Sequence, residues 1–307
     1  MSEASKARRL RELLHEPQTT FLLEAHSGLS ARIAQEAGFP AIWASGLAIS
    51  AALGVRDANE ASWSQVLDLV EFLCDATQVP VLLDADTGSG NFNNVRRLVR
   101  KAERAGVAGL CIEDKLFPKK NSLCGGGVES LADVDEFSGR IRAAKDSQTD
   151  PDTVIVARTE AMVVGGSVDE ALHRARAYRE AGADAVLAHS MSESPHEVLE
   201  FMKRWKDTCP VVLVPTTYAS TPTRTLEEAG ASMIIWANHL VRASIVAMQR
   251  TAATILAESS VAGVEPRIAS LAEVFRLQDM AELERAEARY LPERNAEADE
   301  ASTDEES

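Results

Sequence analysis

The sequence predicts a (β/α)8 barrel of the TIM type, carrying more helix at its C-terminus than a barrel needs. Three observations lead there: helix ends that run straight into apolar segments, eight short apolar runs between Phe21 and Trp236, and a polar residue closing nearly every run.

The helix ends recur as Glu36-Ala-Gly-Phe39, Arg104-Ala-Gly-Val107, Glu180-Ala-Gly-Ala183 and Glu228-Ala-Gly-Ala231. A glycine after the last helical turn tolerates the left-handed conformation that stops a helix, so each repeat reads as helix, tight loop, strand. Matching start signals are present. Ser62-x-x-Gln65 and Ser167-x-x-Glu170 fit capping boxes, and Val66, Leu69, Val70, Leu73 and Val95, Leu98, Val99, Ala102 recur at helical spacing.

The apolar runs are Phe21–Leu23, Ala41–Trp43, Val79–Leu83, Ala108–Ile112, Val154–Ala157, Ala185–Ala188, Val211–Val214 and Met233–Trp236. Most are continuous rather than alternating, as in parallel strands covered on both faces. An open doubly wound sheet is the alternative to a closed barrel, and eight strands alternating with helices favour closure. A helix is expected from about His239 to Glu258, and further helical pattern from Ser270 to Tyr290. Residues 1–292 then form one domain. Residues 293–307 carry seven carboxylates and one arginine and are expected to be a disordered acidic tail.

Composition narrows the function. The 307 residues hold 47 acidic and 32 basic side chains, a net charge of −15, which disfavours nucleic acid and anionic lipid as partners, and no basic patch is apparent to offset it. No apolar run is long enough to span a membrane. The first 17 residues carry Lys6, Arg8, Arg9 and Arg11 but are interrupted by Glu3, Glu12 and Glu16, and no signal-peptide core follows, so a cytoplasmic location is expected. Cys74, Cys111, Cys124 and Cys209 are too scattered for a disulfide framework or a zinc site.

In a (β/α)8 barrel the active site lies at the C-terminal strand ends. Here those ends supply Glu24 and His26; Ser45 and Gly46; Asp84 and Asp86; Glu113, Asp114 and Lys115; Arg158 and Glu160; His189 and Ser190; Thr216 and Thr217; Asn238 and His239. Carboxylates gathered in one mouth repel one another unless a cation joins them. The all-oxygen set Asp84, Asp86 and Glu113 suits Mg²⁺, held directly by one carboxylate and through water by the others. Arg158 and His189 are placed to meet an anion opposite it. The loop from Glu113 to Gly127 adds Lys119, Lys120 and Asn121, ends in three glycines and reads as a lid that excludes water.

Glu113-Asp-Lys, five residues, then Asn121-Ser122 resembles the signature of the phosphoenolpyruvate mutase family in the isocitrate lyase superfamily. The likeness runs to about Pro292 and includes Glu24-Ala-His-Ser-Gly-Leu-Ser30, Trp43-Ala-Ser-Gly-Leu47, Gly54 to Trp63, Asp84 to Asn94 and Trp236-Ala-Asn-His239. It implies interconversion of phosphoenolpyruvate and phosphonopyruvate. It also implies Mg²⁺ on Asp84, with Asp86 and Glu113 around its waters. The substrate carboxylate falls near Ser45 and Gly46, and Trp43 lines the pyruvyl site, with Leu47 and Ser122 also in the substrate pocket. Asn121, Arg158 and His189 grip the phosphoryl group, and Asp57 and Lys119 complete the closed site. Members of the family are commonly homotetramers, dimers of dimers that exchange the eighth barrel helix, which would account for the surplus C-terminal helix.

Two departures stand out: Arg158-Thr-Glu-Ala-Met162 has Thr and Met in place of Val and an aromatic, and the lid is richer in glycine than the usual form. Of the related activities, phosphonopyruvate hydrolases resemble Thr-Ser where this chain has Asn121-Ser122. Carbon–carbon lyases use a lid cysteine where this chain has Asn121, and Cys124 is displaced from that place. A mutase of a carboxylated phosphonoenolpyruvate and a non-catalytic metabolite-binding barrel are the remaining alternatives.

Overall fold

The computed structural model describes residues 5–122, 130–206 and 209–291. Its eight parallel strands close into a barrel in sequence order, β1 (Thr20–Ala25), β2 (Ala41–Ala44), β3 (Val81–Asp84), β4 (Gly109–Glu113), β5 (Val154–Thr159), β6 (Ala185–Ala188), β7 (Val211–Leu213) and β8 (Met233–Trp236), with β8 pairing back to β1. All eight expected runs are strands. The expected helix stops also hold: Gly38, Gly106, Gly182 and Gly230 have φ of 96, 81, 107 and 91°, a conformation that any Cβ would strain.

Helix α1 (Lys6–Leu14) precedes the barrel, a helix not expected from the sequence. Leu10, Leu13 and Leu14 are buried in one cluster with the inward-facing Leu22, Trp43, Leu82, Cys111 and Val156, so α1 plugs the barrel floor. Next come α2 (Gly28–Glu36), a short α3 (Gly46–Ala52), α4 (Trp63–Ala76), α5 (Phe92–Arg104), α6 (Val134–Asp146), α7 (Val168–Glu180), α8 (His196–Trp205) and α9 (Thr223–Glu228). Ser62 and Gln65 form the full capping box of α4. At α7 only half forms: Ser167 accepts from the Glu170 N–H, while the Glu170 carboxylate is drawn to Arg174 at 2.7 Å.

Folding gathers a basic stripe that is not apparent in the sequence. Arg96, Arg97, Arg100, Lys101 and Arg104 are all exposed on α5, with Arg97 lying over the Trp63 ring.

Helix α10 (His239–Glu258) matches its expected span. The pattern from Ser270 to Tyr290 is two helices, α11 (Leu271–Leu277) and α12 (Met280–Tyr290), separated where Asp279 turns left-handed. The described residues cluster into two units, the barrel through Ala247 and a second from Met248 that holds α11 and α12, neither of which buries a residue of its own. The expected acidic tail, 293–307, lies outside the described residues.

Candidate active site

Strand register sets the site. Glu113 and Arg158 are neighbours across β4 and β5, and Asp84 ends β3 beside Cys111 of β4. One pocket at the C-terminal end of the barrel is lined by Trp43, Ser45, Leu47, Asp57, Asp84, Lys119, Asn121, Ser122, Arg158 and His189, so the structure brings ten of the thirteen expected site residues onto a single wall. Val214, Thr216, Ala237 and Asn238 complete the lining, and the free space is small, about 60 Å³.

The other three expected residues lie just behind that lining. Gly46 donates its N–H to Asp84 Oδ2 at 3.3 Å. A Cβ at position 46 would come within 3.2 Å of both Asp84 Oδ2 and Asp86 Oδ1, so glycine lets the backbone approach these carboxylates without displacing them. Asp86 is left-handed (φ 50°), a costly conformation fixed by two partners, Asn59 Nδ2 at 2.8 Å and Lys119 Nζ at 2.5 Å. Glu113 is buried, with neither side-chain oxygen hydrogen-bonded.

Burial raises Glu113 to about 8 and Asp86 to about 6, partly offset by Arg158 and Lys119 for the first and by Lys119 for the second. Lys119, only 5% exposed, shows the reverse balance: burial disfavours its charge, but Asp86, Glu113, Asp84 and Asp57 together hold its pKa well above the usual lysine value.

The cationic half is built around β5. Arg158 Nε lies 3.3 Å from Glu113 Oε2 and also pairs with Glu160. His189 Nδ1 is 2.8 Å from Glu160 Oε1. Burial lowers the His189 pKa below the ordinary histidine value even though Glu160 favours the charged ring. The segment after β4 crosses this half. Asn121 donates its amide to Asp57, Ser122 Oγ donates to Glu160 Oε2 at 2.6 Å, and Lys119 Nζ meets Asp57 at 3.0 Å. The glycines expected to form the rest of the lid, and Cys124, lie outside the described residues.

The remaining strand-end residues have local work. Glu24 accepts the Leu240 and Val241 N–H groups at the start of α10 and bonds His26 at 2.7 Å; Thr217 bonds the Ser190 carbonyl; Ser190 bonds Glu197. His239 is exposed against Trp236. Lys115, buried and bonded to Ser122 Oγ and the Lys120 carbonyl, both at 2.9 Å, anchors the segment; like Glu160 it was visible at a strand end but without a role.

The residues fit a hard divalent cation. Their donors are all oxygen, Glu113 has two buried oxygens without hydrogen-bond partners, and the Gly46 backbone leaves room beside Asp84 and Asp86. Among the described residues no three acidic, histidine or cysteine side chains stand close enough to bind an ion together.

The family model of phosphoenolpyruvate phosphomutase matches residues 10–256. The chain belongs to that family. It is 51% identical to a phosphoenolpyruvate phosphomutase of Tetrahymena pyriformis over 290 residues, 94% of this chain and 97% of the relative. The solved phosphoenolpyruvate phosphomutase of Streptomyces platensis subsp. rosaceus superposes with a TM-score of 0.91 at 47% identity, covering 94% of this chain and all of that one. A phosphonopyruvate hydrolase solved with oxalate and Mg²⁺ is more distant in sequence, 36% identical with a TM-score of 0.89 over 94% of this chain and all of that one.

Proposed function

We propose that the chain interconverts phosphoenolpyruvate and 3-phosphonopyruvate, an isomerisation that exchanges a phosphorus–oxygen bond for a phosphorus–carbon bond. The observation that carries this reading is the pocket's division: Asp84 on one side with Asp86 and Glu113 just behind it, Arg158, His189 and the Asn121 amide on the other, under a segment whose Lys119 is buried. A three-carbon acid bearing a phosphoryl group matches both halves.

In this reading the substrate carboxylate meets the Ser45–Gly46 turn at the start of α3, and Trp43 packs on the pyruvyl carbons. Arg158, His189 and Asn121 hold the phosphoryl oxygens. The phosphorus–oxygen bond breaks with its electron pair left on the enol oxygen, and the enolate carbon then returns a pair to phosphorus, with no net proton change. Asp84, Asp86 and Glu113 would hold Mg²⁺, which would supply positive charge for the enolate oxygen. Lys119 and Asp57 close the acidic side, and Asn121 fills space that an attacking water would need.

Phosphorus NMR of the protein with Mg²⁺ and phosphonopyruvate tests the proposal. Phosphoenolpyruvate as product supports it. Inorganic phosphate with pyruvate would assign a hydrolase, and an unchanged spectrum a binding protein.

The reading extends to a homotetramer of helix-exchanged dimers in the cytoplasm. Phe21 and Trp236 stack on the outer barrel face at 6.2 Å and, with Phe39 and Pro40, line an open apolar groove suited to a helix from a second copy. Within the second unit, Leu256, Leu271 and Phe275 are exposed apolar side chains of the kind such an exchange would cover. A monomeric mass by light scattering would rule the tetramer out. No helix among the described residues is long and apolar enough to cross a membrane, and Cys74, Cys111 and Cys209 are unpaired, which agrees with a reducing compartment.

A further inference from the structure

Glu160 has no exposed surface and does not line the pocket, yet its two oxygens meet both the Arg158–His189 pair and the segment bearing Ser122. Oε1 accepts from Arg158 Nε and lies 2.8 Å from His189 Nδ1; Oε2 accepts from Ser122 Oγ at 2.6 Å and faces Lys115 Nζ at 3.8 Å. Its position is rigid. The Glu160 N–H is bonded to Asp114 Oδ1 at 2.8 Å, and the buried Asp114 is in turn held by Tyr178 at 2.8 Å and Thr159 at 3.1 Å.

We propose that Glu160 is a positioning residue that holds His189 with its Nδ1 proton turned inward and Nε2 turned to the pocket, and that ties the segment bearing Asn121 and Ser122 to the same carboxylate. The inference rests on the pocket receiving a phosphoryl group.

The argument for the tautomer is electrostatic. Burial raises the Glu160 pKa, but Arg158 and His189 outweigh it and keep the group ionised well below the usual carboxylate range. An imidazole lone pair pointed at that carboxylate from 2.8 Å would be repelled, so Nδ1 carries the hydrogen and donates it. Arg158 Nη2 also reaches Nδ1 at 3.0 Å and donates to Ser122 Oγ at 3.3 Å, but the ionised carboxylate is the nearer partner at 2.8 Å and sets the proton on Nδ1.

Burial keeps the ring neutral in the free protein, with Arg158 and Lys115 also opposing its charge. A phosphoryl dianion arriving at Nε2 faces a lone pair until the ring takes up a proton from solvent. The resulting imidazolium donates Nε2–H to the phosphoryl group and Nδ1–H to Glu160, which balances its charge. Ligand binding is thereby coupled to proton uptake through Glu160.

Titration calorimetry of the Mg²⁺-loaded enzyme with phosphoenolpyruvate at pH 8, in two buffers of different ionisation heat, reads that uptake directly. The wild type should take up a substantial fraction of a proton. Glu160→Gln is near-isosteric and still offers an acceptor to Arg158 and an amide to Ser122, so it should fold. It should show little or no uptake, unchanged Mg²⁺ affinity in the absence of phosphoenolpyruvate, and kcat lower by on the order of 10²-fold. His189→Gln should abolish the uptake with Glu160 intact. Wild-type uptake in either variant overturns the proposal, as does the absence of uptake in a wild-type enzyme that binds phosphoenolpyruvate. A wild-type enzyme that neither binds nor converts phosphoenolpyruvate overturns instead the functional reading of the pocket.

Discussion

Replacing Asn121 with alanine separates phosphoryl migration from phosphoryl loss. The amide donates to Asp57 and faces the pocket between Lys119 and Ser122, both of which keep their own anchors, Lys119 on Asp57 and Asp86 and Ser122 on Glu160. Truncation therefore leaves the segment fastened while removing a donor from the place where phosphoryl charge is exposed in transit. Removing one such donor costs about 3 kcal/mol, or roughly 10² in kcat. The lost amide also opens volume comparable to a water molecule, about 30 Å³. Single-turnover reactions followed by phosphorus NMR should show slower migration and a larger fraction of inorganic phosphate. Mg²⁺ affinity should stay near wild type, because Asp84, Asp86 and Glu113 are untouched. A full migration rate, or weakened Mg²⁺ binding in its place, would refute the assignment of Asn121 to the phosphoryl group.

Asp84→Ala should abolish turnover and weaken Mg²⁺ binding measured by titration; activity above a tenth of wild type, about one 1.4 kcal/mol step in barrier, would remove Asp84 from the role of direct ligand. Tyr178→Phe deletes the hydroxyl that donates to the buried Asp114, and urea unfolding should show a loss of about 1.5–3 kcal/mol; an unchanged midpoint would mean that Asp114 finds another partner. Gly109→Ala places a Cβ 2.8 Å from Leu10 Cδ2 and 2.9 Å from the Val154 carbonyl oxygen, so a loss of about 1–3 kcal/mol is expected in the same assay, and wild-type stability would show that α1 yields freely. Cys124→Ser should leave turnover nearly unchanged, and a large loss would favour lyase-like chemistry at the lid.

The barrel was legible because its punctuation is local. Gly38, Gly106, Gly182 and Gly230 mark helix ends through a single backbone torsion each, and the continuous apolar runs report burial on both faces regardless of what covers them. Asp84, Asp86 and Glu113 were legible as strand-end carboxylates for the same reason. Helix α1 was not, since its apolar stripe is just Leu10, Leu13 and Leu14 amid five charged side chains, and its reason to fold is the open barrel floor that only the tertiary structure supplies. Glu160 was seen but not understood. Its role depends on Ser122 and His189, which lie 38 and 29 residues away, arriving at opposite oxygens of one carboxylate.

That arrangement bears on why migration can outrun hydrolysis. The segment from Lys119 to Ser122 is fastened at one end to the acidic half of the pocket, through Asp57 and Asp86, and at the other to the cationic half, through Glu160. Lys119 and the Asp57 side chain are each only 5% exposed, so lifting that end parts a buried ion pair, which is far costlier than parting one in water. Asn121 lies between the two fastenings and cannot swing out unless one of them releases. In the proposed reaction, a phosphoryl group that leaves the enol oxygen meets these donors and the enolate carbon for as long as both fastenings hold. Weakening the Lys119–Asp57 fastening or the Ser122–Glu160 one should therefore raise the hydrolysed fraction without altering the metal carboxylates.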